Sequence, residues 1–322
     1  MTDLKMKMEE LAEKIIAGER LAVARGITII ENNRDGKEEL VAKIYPESGK
    51  AHRIGIAGPP GVGKSTITFR VASAFRDMDR QVGVVAVDPT SPFTGGALLG
   101  DRIRMNELFN DPGVFIRSMA TRGSMGGLAV AATEAGDVLD SAGKDVVIFE
   151  TVGIGQSELD IAKACDTVVL VLAPESGDGV QAMKAGFMEI ADIFVVNKSD
   201  REGADKAVLE IENVMSLHED VKWKIPVLQT TATANTGIDD LIVNIGEHYD
   251  YLIKTKLLAK RRQDQFTDRV KAVVKRLISS AFWTDEREAR LEELVENNPE
   301  KLRSPYRVAR KLTENFLGDK GA

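Results

Sequence analysis

The sequence predicts an α/β fold, a doubly wound and mostly parallel sheet, with helical extensions at both ends. Three observations predict it. From Arg53 to about Tyr251, short apolar runs rich in β-branched residues alternate with helical stretches. The runs are continuous rather than alternating, as they must be in strands covered on both faces. A glycine-rich segment, Gly58 to Gly63, separates the first run from the helical pattern that follows it, where such sheets pass from strand to helix. The runs are Ile54–Ala57, Val82–Val87, Val114–Ile116, Val146–Phe149, Val168–Leu172, Ile193–Val196 and Pro226–Leu228.

Before the sheet, Leu4, Met8, Leu11 and Ile15 recur at helical spacing, and Asn32-Asn33-Arg34-Asp35-Gly36 reads as a loop. After it, Phe266, Val270, Val273, Leu277 and Ala281 share one helix face, with a basic bias from Lys260, Arg261, Arg262 and Arg269. This tail is too short for a core of its own and should pack on its domain or on a partner subunit. The expected division is 1–50 as an N-terminal helical extension, 51–252 as the sheet domain and 253–322 as a C-terminal helical arm.

Composition narrows the class. With 43% hydrophobic and 29% charged residues, the 322-residue chain has an ordinary globular makeup. A net charge of -7 gives no support for nucleic-acid binding, and no run is apolar enough to span a bilayer. The one cysteine, Cys165, allows no internal disulfide and suits a reducing cytoplasm. Acidic Asp3, Glu9, Glu10 and Glu13 argue against a leader segment. One cysteine and three histidines (His52, His218, His248) make a dedicated soft-metal site unexpected.

Gly58-Pro59-Pro60-Gly61-Val62-Gly63-Lys64-Ser65 has the full Walker A spacing and opens the helical stretch Thr66–Phe75. Glycines let successive backbone N–H groups converge on phosphate oxygens, and the helix N-terminus adds its positive dipole end. Lys64 is placed to reach the β- and γ-phosphates and Ser65 to ligate Mg²⁺, with Thr66 completing the binding segment.

Three acidic residues follow at strand ends or loops: Asp88, Asp101 and Glu150. Carboxyl ends of parallel strands face the ligand crevice, and hard oxygens there suit Mg²⁺. Glu150-Thr151-Val152-Gly153 has the form of a switch, with Gly153 N–H offered to the γ-phosphate. The long loop Pro89–Arg104 and the glycine-rich Pro174–Gly179, with Gln181 and Lys184 beyond, are candidate mobile loops. Ile154 stands after Gly153 where a water-orienting glutamine is commoner, so hydrolysis should be slow until a partner or loop completes the site; Gln156, Asp178 and Lys184 are candidates for that completion.

Asn197-Lys198-Ser199-Asp200 lies at a strand end about 130 residues after the Walker loop. The Asp200 carboxylate can accept from guanine N1–H and its 2-amino group, a donor pair adenine lacks. Lys198 can lay its stem on the base, and Asn197 can brace neighbouring loops. Thr230-Thr231-Ala232 can back the guanine oxygen with a backbone N–H. GTP/GDP with Mg²⁺ is therefore the expected ligand set.

The ordered motifs resemble the SIMIBI class of P-loop GTPases, in the branch that also holds metallochaperone GTPases. More closely they resemble the methylmalonyl-CoA mutase-associated GTPases of MeaB/ArgK type. The stretches that carry the likeness are Val87-Asp88-Pro89-Thr90-Ser91-Pro92-Phe93-Thr94-Gly95-Gly96, Leu99-Gly100-Asp101-Arg102-Ile103-Arg104-Met105, Arg117-Ser118-Met119-Ala120-Thr121-Arg122-Gly123 and Glu150-Thr151-Val152-Gly153-Ile154-Gly155-Gln156-Ser157-Glu158. The resemblance spans nearly the whole chain. It implies a GTP-dependent chaperone of adenosylcobalamin-dependent acyl-CoA mutases that gates cofactor delivery, protects the mutase and is stimulated by it. It also implies a homodimer joined through the C-terminal arm. Lys64, Ser65, Asp88, Asp101 and Glu150 match the family's phosphate and Mg²⁺ positions, Asn197, Lys198 and Asp200 its guanine reader, and Pro174–Lys184 a further switch. Ser124-Met125 departs from the His-Leu expected there.

Other readings use the same loop. A nickel-type metallochaperone GTPase would be expected to show Cys and His ligands, against which Cys165 and the scattered histidines argue. A small-molecule kinase would pass phosphate to an acceptor other than water. A scaffold without turnover would release no phosphate.

Overall fold

In the computed structural model, residues 2–88, 106–120, 125–151, 153, 156–174, 189–216, 223–296, 304–314 and 316 are described. Asp101, Asp178, Gln181, Lys184 and the loop 89–104 lie outside them.

All seven predicted runs are strands: β1 (His52–Ala57), β2 (Val82–Asp88), β3 (Val114–Ala120), β4 (Val146–Glu150), β5 (Thr167–Leu172), β6 (Ile193–Asn197) and β7 (Val227–Thr230). They form one sheet in the order β3-β2-β4-β1-β5-β6-β7, every pair parallel. β1 is central and buried at every residue, which is why its run does not alternate.

Helices cover both faces. On one lie α4 (Lys64–Asp77) and α9 (Ile238–Lys254), whose Ile67, Val71, Leu241 and Ile245 pack with Ile54, Ile56, Ile148 and Val169 of the strands. On the other lie α6 (Met125–Ser141), α7 (Gln156–Lys163) and α8 (Ala204–Met215). A short α5 (Asn106–Phe109) precedes β3.

The N-terminal helices α1 (Thr2–Ile16), α2 (Arg20–Glu31) and α3 (Lys37–Ile44) belong to that second face. Met8, Leu11, Ile15, Ile27, Ile30, Leu40 and Ile44 share a continuous core with Ala135 and Leu139 of α6 and Phe149 of β4. Leu4, on the same helical stripe, remains 37% exposed. A buried ion pair, Lys37 Nζ to Glu134 Oε2 at 2.7 Å, ties α3 to α6.

The chain divides into two compact units, Met1–Arg262 and Gln263–Ala322. The boundary therefore falls about ten residues beyond the 252/253 division read from sequence, and residues 1–50 share the sheet's unit. The cause is electrostatic. Helix α10 (Leu257–Phe282) carries Arg261 and Arg262 in its first two turns. The Arg261 fork holds both Asp192 oxygens at 3.0 Å, and Arg262 holds both Asp166 oxygens at 3.0 and 2.7 Å. These carboxylates sit at the starts of β6 and β5, so the first turns of α10 are fixed to the sheet's base.

The second unit holds the rest of α10 with α11 (Asp285–Glu296) and α12 (Pro305–Thr313). Phe282 meets Trp283 and Phe316 edge to face, and the Arg287 guanidinium lies over the Phe282 and Phe316 rings at 5.0 and 5.1 Å. Along α10, Phe266, Val270, Val274, Leu277 and Ile278 are 44 to 54% exposed. Among the described residues no helix is long and apolar enough to cross a membrane.

Candidate active site

The strand ends set the site. Parallel register places Ile56 of β1 beside Glu150 of β4, and Asn197 of β6 beside Thr230 of β7. The phosphate loop, the acidic strand end and the base loop thus emerge at one edge, the carboxyl edge of the sheet, where ligands of such folds bind.

The loop from β1 to α4 needs its glycines. Gly58, Gly61 and Gly63 have φ of 147°, 81° and 98°, all in the region side chains avoid. A Cβ at Gly58 would lie 2.1 Å from Val171 O, and one at Gly63 2.4 Å from Asn197 Nδ2. Pro60 and Gly61 are exposed at the mouth, while Pro59 and Val62 are buried. Lys64, only 6% exposed, folds its ammonium back onto the carbonyls of Gly58 (2.9 Å) and Pro59 (2.7 Å). A phosphate entering the loop would offer that ammonium a full negative charge, a stronger partner than a carbonyl dipole.

Ser65 and Glu150 form the acidic side. Ser65 Oγ donates to Glu150 Oε1 at 2.6 Å, and both residues are buried. A hydroxyl and a carboxylate side by side beneath a phosphate loop fit Mg²⁺, which takes one or two protein oxygens and completes its shell with phosphate and water. Among the described residues no group of three His, Cys, Asp or Glu could hold a metal on its own. Asp88 is the last residue of β2, level with Ala120 of β3, and Gln156 opens α7. Thr151 N–H bonds to Ile56 O at 3.0 Å, which fixes the start of the Glu150–Gly153 segment on β1. Among the described residues, a Cβ at Gly153 would meet nothing within 4 Å.

The base loop is tied directly to the phosphate loop. Asn197 Nδ2 donates to Val62 O at 2.8 Å; its Oδ1 accepts from Thr230 Oγ1 (3.0 Å) and Ala232 N–H (3.1 Å). Lys198 Nζ donates to Gly61 O at 2.7 Å, laying its stem from one loop to the other. Its φ of 59° is a left-handed conformation, retained because Ser199 N–H is pinned to Thr230 O at 3.0 Å. Asp200 is exposed, its Oδ1 3.4 Å from Thr231 Oγ1, which also lies 3.1 Å from Ser199 Oγ.

Of the stretch Thr230-Thr231-Ala232, expected to back the guanine oxygen with a backbone N–H, Thr231 N–H is donated to Thr236 O and Ala232 N–H to Asn197 Oδ1. Sequence reasoning missed Arg70 of α4, which donates from Nε to Ala232 O (3.0 Å) and from Nη2 to Thr233 O (3.2 Å). No motif marks it; only the packing of α4 beside the turn after β7 brings it there.

A phosphate loop, a hydroxyl–carboxylate pair and a base loop, cross-linked at one edge of a parallel sheet, define a P-loop GTPase of the SIMIBI class. Comparison with known proteins then gives the family. Residues 23–287 match the model of the methylmalonyl Co-A mutase-associated GTPase MeaB, and the chain belongs to that family. A protein of Pyrococcus abyssi that carries a GTPase name is 46% identical over 315 residues, 97% of either chain. The mitochondrial methylmalonic aciduria type A homolog of Caenorhabditis elegans is 32% identical over 335 residues, covering 97% of this chain and 83% of its own. Among solved structures, that of an LAO/AO transport system kinase superposes with a TM-score of 0.71 at 26% identity, over 97% of this chain and 98% of that one.

Proposed function

We propose that this mutase-associated GTPase hydrolyses GTP with Mg²⁺ to gate adenosylcobalamin loading and to protect an adenosylcobalamin-dependent acyl-CoA mutase of the methylmalonyl-CoA type. Lys64 and the backbone N–H groups of Gly61 to Thr66, on the loop begun by Gly58, Pro59 and Pro60, hold the β- and γ-phosphates. Ser65 and Glu150, with Asp88 and Asp101, hold the metal, which when bound neutralises phosphate charge. Gly153 senses the γ-phosphate. Asn197 braces the site, Lys198 covers the base, and Asp200 reads the guanine 2-amino edge beside Thr231 and Ala232. Gln156 and Lys184 are assigned to the later assembly that orients water. The protein works in the cytoplasm as a homodimer joined through the arm 253–322; the exposed apolar stripe from Phe266 to Ile278 supports that role, since stripes of this kind mark association surfaces.

The observation that carries the reading is the pair of side chains bridging the base loop and the phosphate loop, Asn197 to Val62 and Lys198 to Gly61. Base identity and phosphate state are then felt by one connected unit, as a switch requires. Family membership supports the mutase as the client.

The test is phosphate release from GTP with and without such a mutase. The expected result is slow release alone and a saturable rise of at least about tenfold with the mutase. Turnover that no mutase alters would remove the chaperone role and leave the GTPase. Phosphate found on a small-molecule acceptor instead of in water would favour the kinase reading.

A further inference from the structure

We propose that Arg70 is a specificity-positioning residue: it fixes the turn that reads the six-position of the purine. The proposal rests on reading Asn197–Asp200 as the guanine site. The turn is Ala232–Ala234, a single 3₁₀ turn after β7. Its backbone N–H groups are almost all committed. Thr231 N–H goes to Thr236 O, Ala232 N–H to Asn197 Oδ1, Ala234 N–H to Thr231 O, Asn235 N–H to Ala232 O and Thr236 N–H to Thr231 O. Thr233 is the exception: its N–H has no acceptor among the described residues, and the residue is exposed beside the base loop.

A lone amide can discriminate between an oxygen and an amino group only if it is held still. Guanine carries an acceptor oxygen at its six-position and adenine a donor amino group, so the same N–H attracts one and is left unpaired by the other. Three groups hold this turn. Asn197 takes it from the strand side through Ala232 N–H, and Thr231 pairs with Thr236 at its back. Arg70 takes it from the opposite side, with Nε on Ala232 O and Nη2 on Thr233 O. Two donors of one rigid guanidinium on consecutive carbonyls fix the orientation of the peptide plane between Ala232 and Thr233, the plane that carries the Thr233 N–H. Arg70 stands on the same helix as Lys64 and Ser65, so the turn is referenced to the phosphate site itself. The guanidinium also lies over the Phe69 ring at 5.5 Å, which limits its own motion.

The test compares GTP, ITP and ATP affinities of wild type, Arg70→Ala and Arg70→Lys. ITP keeps the six-position oxygen and lacks the 2-amino group, so it separates this contact from that of Asp200. Arg70→Ala should weaken GTP and ITP alike by about tenfold and ATP by less than about twofold, collapsing the GTP/ATP ratio. Arg70→Lys, which keeps one donor but not the fork, should recover part of that ratio. An unchanged GTP/ATP ratio in Arg70→Ala, or an equal loss for all three nucleotides, would overturn the proposal while leaving the guanine site intact. A wild-type protein that binds GTP and ATP equally would instead bring down the guanine reading beneath it.

Discussion

The two ends of the sheet in the first unit are both rich in charge and are built in opposite ways. At the carboxyl edge, the lysines of the phosphate and base loops reach backbone carbonyls: Lys64 those of Gly58 and Pro59, Lys198 that of Gly61. At the amino edge, cations meet carboxylates. Buried Arg53 donates to Asp137 (2.8 Å) and Asp140 (3.1 Å), while Asp140 also accepts the N–H groups of Gly49, Lys50 and Ala51. Burial alone would lower the Arg53 pKa, yet the two aspartates hold it above its ordinary value. A carbonyl dipole holds a cation less strongly than a phosphate would; a pair of buried carboxylates is a firmer hold. The first edge is made to exchange partners and the second to keep them.

Substitutions on the two edges should therefore fail differently. Lys64→Ala is expected to lower GTP hydrolysis by about a thousandfold, because the developing phosphate charge loses its pre-aimed cation. The nucleotide-free protein should melt within about 2 °C of wild type, since hydrogen bonds to the Gly58 and Pro59 carbonyls each contribute little net stability. Full activity would sink the phosphate-loop assignment. Asp140→Ala should do the reverse. It takes one of two carboxylates from a buried guanidinium and the acceptor from three backbone N–H groups, at a cost of about 3–5 kcal/mol, or roughly 10 °C in melting temperature. GTP affinity below that transition should change less than about twofold. Calorimetry and a nucleotide titration on the same two variants separate the edges; similar melting losses in both would erase the distinction.

The carboxyl edge was legible in sequence because its chemistry is local. Gly58 to Ser65 and Asn197 to Asp200 are contiguous motifs, and each needs only its own strand end to be placed. Strands β1, β4, β5 and β6 were visible for a related reason: a strand buried on both faces shows its burial as an unbroken apolar run. The amino edge was invisible. Arg261 and Arg262 meet Asp192 and Asp166 across roughly 70 to 95 residues of chain, and nothing in either segment names the other. Read alone, Arg261-Arg262 was a basic bias on a tail, and nothing in it pointed to the sheet's base. Arg70 escaped for the same reason, as one polar residue on an amphipathic helix until the turn after β7 packs beside it.

The smallest effect tests how dry the amino edge is. His52, 8% exposed, stacks on Tyr249 at 4.0 Å and places Nε2 2.8 Å from Thr167 Oγ1. Thr167 Oγ1 lies 2.9 Å from His248 Nδ1, and His248 Nε2 lies 3.2 Å from Asp192 Oδ1. The Asp192 carboxylate can only accept, so it sets the direction of the chain: His248 donates to it, Thr167 donates to His248, and His52 donates to Thr167. Burial pushes the His52 pKa from 6.5 down to about 4; Asp166 and Asp192 oppose this, and His248 and Arg262 reinforce it. A depressed folded-state pKa stabilises the protein fully above pH 6.5, and that stability is lost as pH falls from there toward 4, because the unfolded chain takes up the proton first. Between pH 6.5 and 5 the loss from this residue should be about 2 kcal/mol. Urea midpoints for wild type and His52→Gln across that range isolate it, since carboxylates titrate in both proteins and glutamine can still donate to Thr167. Wild type should fall more steeply than the variant. Parallel curves would mean that water or a counter-charge reaches His52 in the folded protein, and the amino edge would then be less closed than its ion pairs indicate.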